Sequence, residues 1–175
     1  MNRQLVITAL GEDRPGIVGA LSEALTARGL NIEDSRMSVL GGEFALIMLL
    51  RGEAAAVESL LGSVAELEAA LQMKLLLKPT EARPALVSQV PCEVEVVAID
   101  HPGIVQDITG FFSRRNINIV KMDTRCYPAA HTGATMFALD MTIGVPADQS
   151  IAGLRESFAA LCDELNLDAS LNVAK

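Results

Sequence analysis

The chain is poor in aromatic residues: it has no tryptophan and one tyrosine, and aromatics make up 3% of its 175 residues. Half of the residues are nevertheless hydrophobic, so the sequence predicts an aliphatic core and argues against a disordered chain. Its three cysteines are widely spaced and form no Cys-x-x-Cys pair, which favours reduced thiols over a zinc site. No apolar run approaches the ~20 residues of a membrane span. We therefore expect a cytoplasmic protein that contacts no membrane and needs no metal or other cofactor.

Positive charge is also scarce: the chain has 14 Lys and Arg residues and 22 Asp and Glu residues, for a net charge of −8. The acidic excess is spread over both halves of the chain, and neither half carries a basic stripe. Proteins that bind DNA rely on Lys and Arg to neutralise its phosphates. We therefore expect no direct binding to nucleic acid.

A phrase that occurs twice dominates the sequence: Asp-x-Pro-Gly-Ile-Val, followed by Asn-Ile. The copies begin at Asp13 and Asp100, and their Asn-Ile pairs begin at Asn31 and Asn118. Both parts repeat at the same interval (100 − 13 = 87 and 118 − 31 = 87). An interval kept over some twenty residues is typical of an internal duplication, so the sequence predicts two similar domains.

Each copy predicts the order βαββαβ. In the first copy we expect strands at residues 5–10, 30–39, 44–50 and 73–78, with a tight Gly-Gly turn at 41–42. Pro15 should lie in the first turn of the first helix, Gly29 should follow that helix as its C′ residue, and one helix should carry the apolar stripe from Val57 to Leu71. A slip in apolar parity predicts β-bulges near residues 33–35 and 120–121.

The second copy should differ in its details. Its hairpin is six residues longer, around residues 128–133, and Asp148 is the expected N-cap of its last helix. We expect domains at 1–80 and 91–175 joined by a linker at 81–90, within a proline-containing, extended stretch from 79 to 91. The predicted fold class is α+β, with two ferredoxin-like domains in tandem and antiparallel sheets whose helices lie on one face. The bare face should be covered by the other domain or by a second chain.

The repeated phrase is also the candidate ligand site. The N-terminus of a helix offers free N–H groups to a carboxylate, and a glycine there allows close approach. We expect the asparagine to lie beside this helix start and the aspartate to accept from an α-ammonium group. The alternative is that both side chains only cap backbone groups. The candidate ligand-binding residues are Asp13, Arg14, Pro15, Gly16, Ile17, Val18, Asn31, Ile32, Asp100, His101, Gly103, Ile104, Val105, Asn118 and Ile119.

No residue pattern in the chain predicts catalysis. Asp100 and His101 are adjacent in a turn, where their side chains point apart, and the first copy has Arg14 in place of the histidine. Cys126 and Cys162 lack a His/Asn framework and are interpreted as small buried hydrophobes. An acylphosphatase-like enzyme on this fold would need a cationic, Gly-rich loop, whereas residues 11–14 hold two acids and one base. We therefore expect no enzyme activity.

The two phrases, in register within the predicted element order, resemble the ACT domain, a module that senses small molecules in amino-acid metabolism. The string Asn-Ile-Glu-Asp-Ser-Arg at 31–36, with Gly-Glu-Phe at 42–44 and Ile-Met-Leu-Leu at 47–50, resembles the glycine cleavage system transcriptional repressor family. This resemblance implies a co-regulator without a DNA-binding domain, which acts by binding a LysR-type activator and is relieved by glycine. An alternative is a stand-alone regulatory subunit of an amino-acid metabolic enzyme.

From these features together we expect glycine first, and serine second, as ligand. We also expect a homodimer or larger assembly, since a single unit covers one face of its sheet. The two halves should form one structural body with ligand sites near their junction or a dimer seam.

Overall fold

The computed structural model describes residues 2–81, 89–130 and 132–174, which form two compact units on either side of the segment 82–88. The first unit contains β1 (Asn2–Glu12), α1 (Ile17–Thr26), β2 (Asn31–Leu40), β3 (Glu43–Glu53), α2 (Ala54–Gly62), α3 (Val64–Leu71) and β4 (Lys74–Thr80). The second contains β5 (Gln89–Ile99), α4 (Ile104–Ser113), β6 (Asn118–Pro128), β7 (Thr135–Pro146), α5 (Ile151–Glu164) and β8 (Asp168–Val173). The sheets have the antiparallel orders β2-β3-β1-β4 and β6-β7-β5-β8, so the predicted ferredoxin-like fold is confirmed.

Alternation along the central strands places the core on the helix side of each sheet. In β3, Phe44, Leu46, Met48 and Leu50 are buried, whereas Ile47 between them is 49% exposed. The second unit adds three phenylalanines that pack together, Phe111, Phe112 and Phe158, with ring centroids 5.2–5.3 Å apart. The predicted aliphatic core is therefore confirmed in the first unit, and the second unit has an aromatic centre as well.

The start of α1 differs from the prediction. The helix begins at Ile17, and Gly16 is its N-cap with φ 86°, so Pro15 lies in the turn before the helix and not in its first turn. The N–H of Ile17 donates to the carbonyl of Arg14 at 3.3 Å and closes this turn. A left-handed backbone conformation suits glycine, which explains the Gly that follows the Pro in the phrase.

The end of α1 agrees with the prediction for Gly29. Its φ is 76°, its N–H donates to Thr26, and the N–H of Leu30 donates to Leu25. This pair of bonds is the Schellman motif with Gly29 at C′. The second unit repeats it with Asn116, at φ 54°, in the same place.

Replacing Gly29 with alanine should lower the free energy of unfolding by about 1–2 kcal/mol, because an L-residue other than Gly or Asn is strained in the left-handed region. Gly29→Asn is the matched control: it copies Asn116 and should cost about half as much or less. Hydrogen exchange of the α1 amides measures both changes. Equal costs for the two variants would contradict this assignment of strain.

The remaining helices correct two predictions. The stripe from Val57 to Leu71 is divided into α2 and α3 at Ser63, whose hydroxyl donates to the carbonyl of Ser59 at 2.9 Å. Leu61, in the last turn of α2, is 37% exposed. In the second unit the N-cap of α5 is Ser150, whose side chain accepts from the N–H of Gly153, and not Asp148.

Both predicted β-bulges are confirmed. The register of β2 against β3 shifts between Ile32 and Asp34, and that of β6 against β7 shifts between Ile119 and Lys121. Each bulge inserts one residue, Glu33 or Val120, after the Asn-Ile pair. The duplicated phrase thus extends to a duplicated irregularity.

The segment between the units can be compared with its prediction only at its ends. β4 runs to Thr80 and β5 starts at Gln89, so Pro79 and Pro91 lie within strands. Residues 82–88 of the expected linker lie outside the described part of the chain. The longer second hairpin is confirmed: β6 ends at Pro128 and β7 begins at Thr135, where the first unit has two residues between its strands.

The cysteines differ in exposure. Cys92 and Cys162 are buried, and burial raises the pKa of the Cys162 thiol to about 11. Cys126 is exposed on the edge strand β6, so its interpretation as a buried hydrophobe is wrong. In β6 the side chains that follow Ile119 are exposed even where the sequence alternates.

Candidate functional site

The turn between β1 and α1 is held against the loop that joins β2 and β3. The N–H of Asp13 donates to the carbonyl of Gly42 at 3.1 Å, and Glu12 pairs with Glu43 in the sheet. Asp13, Pro15 and Gly16 are exposed. The turn is therefore held in place by the backbone and is exposed to solvent in front of α1.

The N-terminus of α1 is open. No side chain caps Gly16, no acidic residue lies in the first turn, and a Cβ built on Gly16 would meet no atom within 4 Å. Val18 and Gly19 follow Ile17 in this first turn, where N–H groups have no partner within the helix. The Asp13 side chain consequently does not cap the helix, which argues against that alternative for Asp13. The helix dipole and these free donors favour an anion here.

Arg14, a predicted ligand-binding residue, is engaged elsewhere. Its Nη2 donates to the carbonyl of Leu71 at 2.7 Å, at the C-terminal end of α3. Helix C-termini leave carbonyls without partners, and this bond satisfies one of them. Since Arg14 is the base of the 11–14 loop, its engagement also argues against a phosphate cradle of the acylphosphatase kind.

The expectation that Asn31 lies beside this helix start is wrong within one unit. Asn31 pairs with Arg51 of β3, whereas Asp13 bonds to Gly42, just before the same strand begins. These two points are nine positions apart along the chain (51 − 42 = 9), which is about 30 Å at ~3.3 Å per residue. The reason is topological, because α1 carries the chain back across the sheet before β2 starts.

The second copy has the same separation and a different helix start. The N–H of Asp100 donates to the carbonyl of Thr135, whereas Asn118 pairs with Gly144. These two contacts lie at opposite ends of β7. Gly103 is again a left-handed N-cap, at φ 104°. Asp107, however, lies in the first turn of α4, and its carboxylate oxygen would be 3.7 Å from a Cβ on Gly103. A carboxylate ligand would be repelled here.

The other predicted residues of the phrase have structural roles. Ile17 and Ile104 are buried, Val18 and Val105 are half-buried, and Ile32 and Ile119 pack against the two cores. His101 is exposed, and its Nδ1 lies 3.1 Å from the carbonyl oxygen of Pro102. These positions shape the turn and anchor it to the core.

Two concave sites accompany the phrase. One, of ≈ 460 Å³, lies at the Asp13 end of the first sheet and is lined by Gly11, Glu43, Glu68, Gln72 and Lys74 among others. The other, also of ≈ 460 Å³, includes Asn118 and Ile119 together with Thr109, Ser113 and Asn116. Sequence reasoning missed Glu68 and Lys74, because Glu68 lies within the second helical stripe, Lys74 begins the next strand, and neither belongs to a motif.

Within the described part of the chain, no three or more His, Cys, Asp and Glu residues come together as a metal site would require. None of the helices in the same residues combines the length and apolarity that crossing a bilayer demands.

Comparisons with known proteins agree with the duplicated fold. Residues 3–78 and 93–137 each match the ACT domain. The chain is 37% identical over 169 residues to the glycine cleavage system transcriptional repressor of Escherichia coli (strain K12), covering 97% of this chain and 89% of the relative. A candidate glycine cleavage system transcriptional repressor of known crystal structure superposes with a TM-score of 0.75 at 29% identity, over 100% and 99% of the two chains. An unknown protein from Galdieria sulphuraria gives a TM-score of 0.84 at 27% identity over 100% of both chains.

Proposed function

Because the chain belongs to the glycine cleavage system transcriptional repressor family, with an ACT domain in each half, we propose that it senses a small amino acid and regulates transcription through a partner protein. The ligand is glycine or, second, serine. By family resemblance the partner is a LysR-type activator, and ligand binding relieves the repression. The protein acts in the cytoplasm and catalyses no reaction of its own.

The observation that carries this proposal is the open N-terminus of α1. Val18 and Gly19 can donate to a carboxylate, Gly16 leaves space for it, and Asp13 can accept from the ammonium group. A small zwitterion matches this set of groups. The corresponding start of α4 faces Asp107, so the first unit supplies the stronger site.

Asn31 contributes to the site of another copy of the chain. In its own unit it is about 30 Å from the Asp13 turn, whereas β2 is an edge strand that begins with Asn31. If two such edges run antiparallel, the start of one β2 meets the hairpin end of the other. A ligand held between copies can then shift an assembly equilibrium, which is the form of coupling that a partner protein detects.

The alternative, a regulatory subunit of an amino-acid metabolic enzyme, uses the same ligand site with a different partner. Affinity capture with the full chain, in the presence and absence of glycine, separates the two. A transcription activator supports the repressor assignment, and an amino-acid metabolic enzyme supports the alternative.

Isothermal titration of the full chain with the twenty amino acids should give heat for glycine or serine. Asn31→Ala should weaken this binding by about 1–3 kcal/mol, the usual cost of losing a buried polar partner. Asn118→Ala, the equivalent change in the second unit, is the matched control and should have the smaller effect. No heat and no thermal shift at millimolar ligand would refute the sensor.

A further inference from the structure

The concave site beside α3 in the first unit is lined by none of the predicted ligand-binding residues. It has a volume of ≈ 460 Å³, and its wall is formed by α3, by the end of β1 and by the starts of β3 and β4. Sites for small molecules typically have ~300–1,000 Å³, a largely apolar wall and a few polar groups. We call this site the α3 groove.

Glu68 supplies the α3 groove with a carboxylate that is held in place. Its side chain is 24% exposed, and its Oε1 accepts from the N–H of Leu75 at 2.8 Å. Its Oε2 faces Lys74, whose Nζ lies 3.7 Å away on a side chain that is 84% exposed. That separation is longer than a hydrogen bond. Oε2 of Glu68 can therefore accept from a ligand without losing a bond within the protein.

The charge around the α3 groove is negative. Glu43 also lines the groove, is exposed and forms no ion pair with any residue that the structure describes. Two carboxylates in the wall thus face one ammonium group, that of Lys74. Glu12, which pairs with Glu43 across the strands, adds a third exposed acid. Asp13 and Arg14 follow with one charge of each sign, so they leave this excess unchanged.

The rest of the wall is apolar. Leu10 is 50% exposed, Met73 is buried, and Ala65 and Ala69 present small exposed side chains. Gly11 also lines the groove, and a Cβ built on it would lie 3.2 Å from Cγ of Met73. The small residues keep the volume open, whereas a glycine ligand has no carbon chain to cover the apolar wall.

We propose that the α3 groove binds a primary ammonium group carried on a short aliphatic chain. The ammonium group donates to Oε2 of Glu68 and lies near Glu43, while the chain covers Leu10 and Met73. A ligand with a carboxylate alone is opposed by the same acids. Two kinds of molecule carry this chemistry: a free aliphatic amine, and an α-amino acid with an aliphatic side chain, whose carboxylate pairs with Lys74.

Titration of the full chain, followed by amide proton–nitrogen correlation NMR, tests the proposal. The probes are leucine, isoamylamine, which is leucine without its carboxylate, and isocaproate, which is leucine without its ammonium group. We expect isoamylamine to shift the Leu75 amide signal in a saturable manner, because this N–H donates to Glu68, and isocaproate to leave it unchanged. Tighter binding of leucine than of isoamylamine identifies an amino acid as the ligand, and equal or weaker binding identifies an amine.

Two pairs of variants locate the binding. Glu68→Gln should weaken isoamylamine binding at least tenfold, because the glutamine oxygen still accepts from Leu75 but carries no charge. Glu66→Gln is the matched control, an exposed position on the same helix that does not line the groove. Ala69→Leu should fill the groove and abolish binding, whereas Ala70→Leu, exposed and outside the groove, should change the affinity by less than about twofold.

The absence of a saturable shift with both isoamylamine and leucine would overturn the proposal. Isocaproate binding as tightly as isoamylamine would also overturn it, as would equal losses in the two glutamine variants or in the two leucine variants. Leucine shifts confined to Val18 and Gly19 would place the amino acid at the start of α1 and count against the α3 groove. Because isoamylamine has no carboxylate for the start of α1, its result does not depend on the proposed glycine site.

Discussion

Replacing Phe112 with alanine should lower the free energy of unfolding of the second unit by about 3–5 kcal/mol, the range for removing a buried phenylalanine. Phe112 is 0% exposed and contacts Phe111 edge to face at 5.2 Å and Phe158 at 5.2 Å. Aromatic pairs contribute ~0.5–1.5 kcal/mol beyond burial, so the cost should lie toward the upper end of the range. A domain of this size has only ~5–10 kcal/mol in total, and the variant should be near the limit of folding.

Hydrogen exchange with mass spectrometry reads this loss separately in each unit. Amides of β5 and β7 should exchange faster in the variant, while those of β1 and β3 should keep their rates. Phe112→Leu is the conservative control, because it retains most of the apolar volume and should cost about 1 kcal/mol. A cost above 3 kcal/mol for Phe112→Leu would mean that ring geometry, and not burial, holds this core.

The features that the sequence predicted correctly depend on residues that are close together along the chain. The Schellman end at Gly29 needs a residue that tolerates positive φ, and the second copy uses Asn116 for the same purpose. The bulges follow from a change of parity in the apolar residues, which is visible along the strand. Duplication strengthened the prediction of the bulges, since it had to hold in both copies.

The features that were missed depend on where segments lie in three dimensions. Asn31 follows the turn residues by fewer than twenty positions, yet a helix and a sheet separate them, and distance along the chain does not reveal this. The break between α2 and α3 falls at Ser63, a position that the stripe of apolar residues does not mark. The engagement of Arg14 by Leu71 joins residues 57 apart, so no local pattern could indicate it.

The sheet faces that point away from the helices have charges that the sequence predicts only in part. The alternation in β5 places Glu93 and Glu95 on the face opposite the core, which is readable from the sequence. Which glutamates keep a free charge depends on Arg125 meeting Asp140 across the hairpin. Pairing across strands decides the electrostatics of a sheet, and register must be known before it can be assigned.

The two helix starts predict that a ligand binds more tightly at α1 than at α4. A single substitution should give α1 the weaker binding expected of α4. Ala20 and Asp107 occupy equivalent positions: the N–H of each donates to the N-cap glycine, Gly16 or Gly103, at 2.9 Å. Ala20→Asp places a carboxylate in the first turn of α1. At about 5 Å from a ligand carboxylate, the repulsion is roughly 1–3 kcal/mol for an effective dielectric constant between ~20 and 80. Glycine or serine binding measured by calorimetry should therefore weaken by about five- to 150-fold.

Ala20→Asn is the matched control, because asparagine has the size of aspartate without its charge. Ala20 is exposed, so both substitutions should leave the fold intact, and Ala20→Asn should reduce affinity by no more than about threefold. The reciprocal variant, Asp107→Ala, removes the carboxylate from α4 and should improve amino-acid binding at the second copy. If Ala20→Asp and Ala20→Asn weaken binding equally, the ligand carboxylate does not lie at the start of α1. If the ligand ammonium group occupied that place instead, Ala20→Asp would strengthen binding.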